Sequence, residues 1–421
     1  MSAAIAESPD LLRPVAPSER VELIDILRGF ALLGILVVNF TGDEATRLDR
    51  AVTAVLDVTV SESFLPIFSF LFGLGFAVQL LRARERGVGV VNLYLRRMLA
   101  LFLIGTFHAV VISNVDILKL YALLGLLLIP IHRLRDRWLW VIVAIPLVLG
   151  LWKPQVQAFT ATLGSGPDET SVLQQWEIGQ RESSAGIIAE RHEIDPAATR
   201  LDAYGSTVVM RWRQYESGMG RTLTRNIFLN GIAALFVVGL IVGRRRILED
   251  APRHGRSLAI AATAGLTAAV AGGLVDYVVE PQDPAVAKLG EYGSNFGASV
   301  FYIALIALAV TGWPRVAALL RPFAAVGRLG LTNYLMQSIV MTLLFKRYGL
   351  ALEEPSTTPV LLINLMFFFA IQVPFSRWWI ARYRFGPAEW LWRTMTYGKR
   401  QPMRLASRVP AAQPPEPALV G

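Results

Sequence analysis

His108 and Asp116, eight residues apart in HAVVISNVDILKLYALLG (108–125), are the pair in this sequence best suited to chemistry. An imidazole oriented by a carboxylate is the minimal general-base pair, and the same ring can act as a nucleophile. The setting makes the pair informative. His132, His192 and His254 lie in charged stretches, whereas His108 lies inside an apolar run. An ionisable side chain in such a run is costly unless it is paired or faces a wet cavity. A plainer reading stays open, in which His108 bonds a neighbouring carbonyl and Asp116 caps a helix that starts at SNVDIL.

Other polar residues fall into two groups. Asn39, Asn114 and Tyr121 reach the level of His108 and are the candidates for binding a substrate; Asn39 could equally bond a neighbouring helix. Arg28, Arg97, Arg328 and Asn333 stand at the opposite ends of their apolar runs. Planar guanidinium groups match phosphate geometry, so the three arginines, with Asn333 beside Arg328, are the candidates for holding a phosphorylated cofactor. Asp25 and Arg28 are three apart and can pair as an ordinary interfacial ion pair. Gly73 and Gly75 permit close helix approach. The chain has no cysteine, and no His, Asp or Glu cluster has metal-ligand spacing, so no metal is expected.

The elements that position these residues are membrane helices. Of 421 residues, 54% are hydrophobic and 17% charged, with mean hydropathy +0.47. Soluble domains carry roughly 25% charge. The charges cluster between apolar runs without period-two alternation, which excludes a β-barrel and leaves helices. The runs are 21–40, 63–81, 94–112, 117–131, 138–152, 226–243, 257–279, 296–312, 331–348 and 359–379. Loops 82–97, 132–137, 244–256 and 313–330 hold five, three, five and three arginines, and eight Lys and Arg residues follow from Arg377. Loops 41–62, 113–116, 280–294 and 346–358 hold two, none, one and two basic residues. The alternation predicts an all-α polytopic transmembrane bundle of about ten spans with both termini cytoplasmic. It also accounts for the net charge of +9 without nucleic acid.

The domain reading follows. Residues 1–20 form a disordered tail, and 21–152 hold the first five helices with the histidine. Residues 153–225 form an extracytoplasmic lid with helical stretches near 171–193 and 198–217. Residues 226–380 hold the last five helices. An interfacial helix within 385–400 and a proline-rich tail close the chain over 381–421. In that interfacial helix Glu389 and Arg393 are spaced to pair, and membrane-surface anchoring is its expected role.

Four separated segments carry a resemblance: VELIDILRGFALLGILVVNF (21–40), RRMLALFLIGTFHAVVISNVDILKLYALLG (96–125), VGRLGLTNYLMQSIV (326–340) and FGPAEWLWRTMTYGK (385–399). Together they resemble the YeiB-like bacterial membrane-protein family, over nearly the whole chain apart from 153–225. That family is similar to transmembrane acyltransferases that include heparan-α-glucosaminide N-acetyltransferase. The resemblance implies that acetyl-CoA or another acyl-CoA enters from the cytoplasm as co-substrate. It implies an extracytoplasmic acceptor such as a glycan or lipid-linked sugar, in a bacterial inner membrane. Matched by motif, His108 corresponds to the catalytic histidine, Asp116 to the aspartate of DIL, and Arg28 and Asn39 to the LRG and VN positions. A homodimer is implied by relatedness, without an interface signal in the sequence. The alternative function is a proton-coupled transporter or flippase with His108 and Asp116 as relay. The sequence shows no inverted repeat in its favour.

Overall fold

The structure is a computed structural model and describes residues 21–60, 63–87, 89, 91–113, 116–162, 204–212, 231–275, 283–346, 348–350, 352 and 356–405. Lipid offers no partner to a free peptide group, so a chain this apolar must satisfy its backbone within helices. It does so: among the described residues there is no β-strand, only two isolated bridges.

The elements in chain order are α1 Glu22–Asn39, α2 Arg47–Thr59, α3 Phe64–Glu85, α4 Val91–Phe107, α5 Leu118–Leu126, α6 Leu128–Ile131 and α7 Asp136–Thr162. After α8, residues 204–212, come α9 Ile232–Arg244, α10 Gly255–Leu274, α11 Pro284–Gly312, α12 Pro314–Arg328 and α13 Gly330–Phe345. The last three are α14 Thr357–Met366, α15 Val373–Ile380 and α16 Pro387–Tyr397. Among the described residues, two full π-helical segments interrupt the α geometry. His108–Ile112 prolongs α4, and Phe367–Gln372 joins α14 to α15. Among the described residues, five helices are long and apolar enough to cross a membrane: Phe64–Glu85, Val91–Ile112, Ala251–Leu274, Ala285–Gly312 and Thr357–Ile380. The protein is therefore a helical membrane protein.

Glycines set how closely the helices approach. A Cβ on Gly29 of α1 would strike the Phe323 carbonyl of α12, and one on Gly73 of α3 would strike the Phe236 carbonyl of α9. Backbone lies directly on backbone at both crossings, the packing that small residues allow between apolar helices. Leu27, Leu32, Ile67, Leu74 and Phe236 fill the core between them.

Helix extends into several stretches expected to be loops. α2 lies within 41–62 because Thr46 and Asp49 form a reciprocal capping box. α11 begins within 280–294, where Asp283 accepts from the Ala285 N–H at 2.7 Å and Pro284 takes the first position. α12 occupies most of 313–330. The run 117–131 breaks at Leu127 into α5 and α6. The expected tails and the helix near 171–193 lie outside the described residues.

Candidate active site

His108 closes α4 and opens the π segment, where its carbonyl accepts from the Ser113 N–H at 2.8 Å. π turns insert a residue into the helical ladder and recur at functional sites. The chain then reverses and α5 returns alongside α4. Gly105, one turn before His108, makes room for that return. A Cβ there would stand 3.1 Å from Asp116 Oδ2 and 3.0 Å from Leu118 Cβ. Asp116 uses both oxygens. Oδ1 lies 2.9 Å from His108 Nδ1, and Oδ2 accepts from the Lys119 N–H at 3.0 Å as a helix-starting cap. Both side chains are fully buried. Paired with a carboxylate, which only accepts, the ring would carry its hydrogen on Nδ1 and leave the lone pair on Nε2. Nε2 is buried and has no hydrogen-bond partner among the described residues. A ring fixed at one nitrogen and open at the other is arranged to take a proton or attack a carbonyl carbon.

A cavity of about 360 Å³ ends beside this ring without reaching it. At one end it is lined by six arginines, Arg28, Arg82, Arg86, Arg97, Arg328 and Arg393. At the other it reaches Ile117, Tyr121 and Tyr334. Arg97 precedes His108 by eleven residues, about 16 Å along a helix. The middle is apolar and aromatic, with Phe68, Phe72 and Leu101 on its walls. His108 does not itself line the cavity. Tyr334 stands between, its ring centroid 5.1 Å from the imidazole and its side chain hydrogen-bonded to the Ile117 main chain.

The structure places the remaining expected residues unequally. Tyr121 lines the cavity, but its hydroxyl is engaged, 2.8 Å from Ser69 Oγ and 3.0 Å from the Leu65 carbonyl. Asn39 ends α1 and does not reach the cavity wall. Asn114 lies outside the described residues. Arg28, Arg97 and Arg328 line the cavity together, with Arg28 donating to Asp25 at 2.9 Å and Arg328 Nε buried without a partner among the described residues. Asn333 is corrected. It is fully buried away from the cavity, donating to the Val326 carbonyl at 3.0 Å and to Ser376 Oγ at 2.9 Å, so it has no hydrogen left for a cofactor. Gly75 lines the cavity beside Arg28, while Gly73 packs.

Sequence reasoning missed Arg82, Arg86, Arg393, Tyr334 and Gly105. The i,i+4 spacing of Arg82 and Arg86 at the end of an apolar run was the available signal for the first two. The expected Glu389–Arg393 pair does not form. Glu389 instead accepts from the N–H groups of Leu331 and Thr332 at 2.7 and 3.1 Å and from Thr332 Oγ1 at 2.5 Å. Burial raises its carboxyl above the usual range, and the Thr332 hydrogen bonds oppose that shift. At the His108 end, α8 covers the end of the π segment: Tyr204 donates to the Val111 carbonyl at 3.0 Å and Arg211 to the Ile112 carbonyl at 3.1 Å.

The chain is similar to known proteins along its length. A family model described as a protein of unknown function (DUF418) matches residues 242–399. Another, described as heparan-alpha-glucosaminide N-acetyltransferase, catalytic, matches residues 20–163, the part that holds His108 and Asp116. The uncharacterized protein YxaH of Bacillus subtilis is 31% identical over 418 residues, covering 94% of this chain and 99% of its own. The uncharacterized protein YeiB of Escherichia coli is 26% identical over 415 residues, covering 90% and 96%.

Proposed function

The chain belongs to the YeiB-like family of bacterial membrane proteins, related to the heparan-α-glucosaminide N-acetyltransferase type, and from that premise we propose that it is a transmembrane acyltransferase. It takes an acyl group, acetyl in the simplest case, from cytoplasmic acyl-CoA. It passes that group to an extracytoplasmic acceptor such as a glycan or a lipid-linked sugar. The membrane is the bacterial inner membrane. The five long apolar helices, the shorter Leu118–Ile131, Ile232–Arg244 and Gly330–Phe345, and α1 and α7 supply about ten crossings. With arginines on alternate loops, both ends are cytoplasmic.

One observation carries the reading: an imidazole held by a carboxylate at Nδ1, its Nε2 buried and without a partner among the described residues, separated by the Tyr334 ring from a cavity whose other end is arginine-rich. Arg28, Arg97 and Arg328 hold the phosphates of the donor. The apolar middle takes the extended arm, and the distance from Arg97 to His108, about 16 Å, is half a hydrocarbon core of about 30 Å. Nε2 then removes the proton of the acceptor hydroxyl or amine as its oxygen or nitrogen attacks the thioester carbonyl. Collapse of the tetrahedral adduct breaks the C–S bond, and the imidazolium returns the proton to the CoA thiolate. In the covalent version Nε2 attacks the thioester carbonyl first and CoA leaves as its thiolate; the acceptor then attacks the acyl-imidazolium carbonyl, the C–N bond to Nε2 breaks, and the acceptor's proton passes to the thiolate. Asp116 stabilises the imidazolium in either version.

His108→Ala tests this. The variant should insert and fold as the wild type and remain stabilised by acetyl-CoA in detergent, but transfer no labelled acetyl group. Wild-type transfer by the purified variant refutes the mechanism. Proton-coupled uptake into liposomes without any stabilisation by acetyl-CoA would establish the transporter instead.

A further inference from the structure

One wall of the cavity belongs to a helix that has so far been given no part in donor binding. α16 turns Glu389, Trp392, Arg393, Thr396 and Tyr397 toward the cavity, the i, i+3, i+4, i+7, i+8 stripe of a single face. The helix is docked rather than laid on a surface. The Trp392 indole N–H donates to the Arg97 carbonyl at 2.9 Å, and the Arg97 guanidinium lies 4.1 Å from the Trp392 ring. Glu389 fastens the other end of the face to the start of α13. Between them Arg393 stacks on Phe385 at 4.6 Å, its guanidinium among the cavity-lining groups.

The charge there is unbalanced. Arg393 and Arg97 repel one another; burial first, and Arg28 more weakly, disfavour the charged form of Arg393, which Tyr397 and Glu389 favour in part. Asp25 pairs with Arg28 alone, and Glu389 is turned to the α13 backbone. Guanidiniums brought together against their mutual repulsion, on three helices distant in sequence, call for a polyvalent anion between them. A phosphoryl group fits the fork geometry that arginine offers.

We propose that α16 is a donor-binding element, in which Arg393 joins Arg28 and Arg97 in holding a phosphoryl group of a nucleotide-bearing acyl donor. The identity of that donor rests on the acyltransferase reading. The phosphoryl group is either the 3′-phosphomonoester of CoA or its 5′-diphosphate, and a surface-anchoring role for α16 is the competing account.

The test uses the full chain in detergent, titrated with CoA, 3′-dephospho-CoA and 4′-phosphopantetheine and followed by thermal unfolding. Arg393→Ala should weaken CoA binding roughly 10–100-fold, the value of a charge-assisted hydrogen bond. Arg393→Lys should weaken it less, because it keeps the charge and loses the fork. Loss confined to CoA places Arg393 on the 3′-phosphate; equal loss for CoA and dephospho-CoA places it on the diphosphate. In the wild type, CoA should also slow backbone hydrogen exchange over 387–397, a readout that needs no variant. The proposal is overturned if the wild type binds CoA while the Arg393 variants bind it as tightly, or if CoA leaves exchange over 387–397 unchanged. It is overturned equally if Arg393→Ala loses only stabilisation by phosphatidylglycerol nanodiscs. These outcomes leave the acyltransferase reading standing, whereas a wild type that binds none of the three thiol compounds removes both.

Discussion

Asp116→Asn separates the two duties of one carboxylate. Oδ1 faces His108 Nδ1 at 2.9 Å while Oδ2 caps α5 through the Lys119 N–H at 3.0 Å. Asparagine has a single accepting oxygen for these two roles; turned to the Lys119 N–H it keeps the cap, so folding should change little, and it sets its NH2 against Nδ1. What disappears is the negative charge beside an imidazole that becomes positive during transfer. Unit charges about 4 Å apart interact by about 4 kcal/mol at an effective dielectric near 20. The pair is fully buried, which keeps solvent screening small. A loss of about 3–5 kcal/mol of transition-state stabilisation follows, roughly 10²–10⁴-fold in rate. Asp116→Ala should lose the cap as well, about 1 kcal/mol, and melt lower. The assay is single-turnover acetyl transfer by purified protein at saturating acetyl-CoA, beside thermal unfolding of both variants. Should Asp116→Asn transfer at the wild-type rate with an unchanged melting point, the carboxylate is a cap alone and the imidazolium argument is wrong.

Two further outcomes test neighbouring parts of the structure. Tyr334→Ala removes the ring that stands between cavity and imidazole, so acyl-CoA hydrolysis should rise relative to transfer, while Tyr334→Phe should leave that ratio near wild type; equal ratios in all three proteins would show that Tyr334 is no barrier. On α2, between α1 and α3, hydrogen bonds from the Thr358 hydroxyl and N–H, at 2.6 and 2.9 Å, hold Asp49 well below the usual carboxylate range. A folded-state value depressed in this way stabilises above the unfolded value near 4 and is lost as pH falls below it through the folded value. Hydrogen exchange at the start of α14 should therefore accelerate in acid for the wild type, and show a much smaller acid dependence in Asp49→Asn.

How much of this was legible follows from what periodicity and spacing can carry. His108 stood out because it interrupts an apolar run, and Asp116 because a four-residue turn must bring it back beside that run. The arginines were legible as a set at helix ends. Which of them share a cavity was not, since that depends on how α1, α3, α4, α12 and α16 are rotated against one another. Arg393 and its stripe read equally well as a membrane-surface face, because a cation and aromatics at helical spacing suit lipid headgroups and a cavity wall alike. Asn333 misled for the converse reason. It follows Arg328 by five residues, yet its amide is consumed by the Val326 carbonyl and Ser376 Oγ, partners that only the packed helices supply. Gly105 gave no sign at all, because a missing side chain acquires meaning only from the carboxylate that comes to occupy its place.

The misread asparagine nonetheless bears on the site. Asn333 and Gln337 share a face of α13, and Gln372, the last residue of the second π segment, bridges them. Gln372 donates to the Asn333 carbonyl at 3.1 Å and accepts from Gln337 at 3.0 Å. Gln337 also donates to the Leu32 carbonyl of α1 at 3.3 Å. All three side chains are buried in a setting without water to replace a lost partner, so the network must be satisfied as a whole. That requirement fixes the rotation of α13. Tyr334 follows Asn333 by one residue, about 100° around the helix. Locking Asn333 onto one neighbour therefore directs Tyr334 onto another, the imidazole of His108. The helix that bears no reacting group thus decides how the cavity meets the one that does.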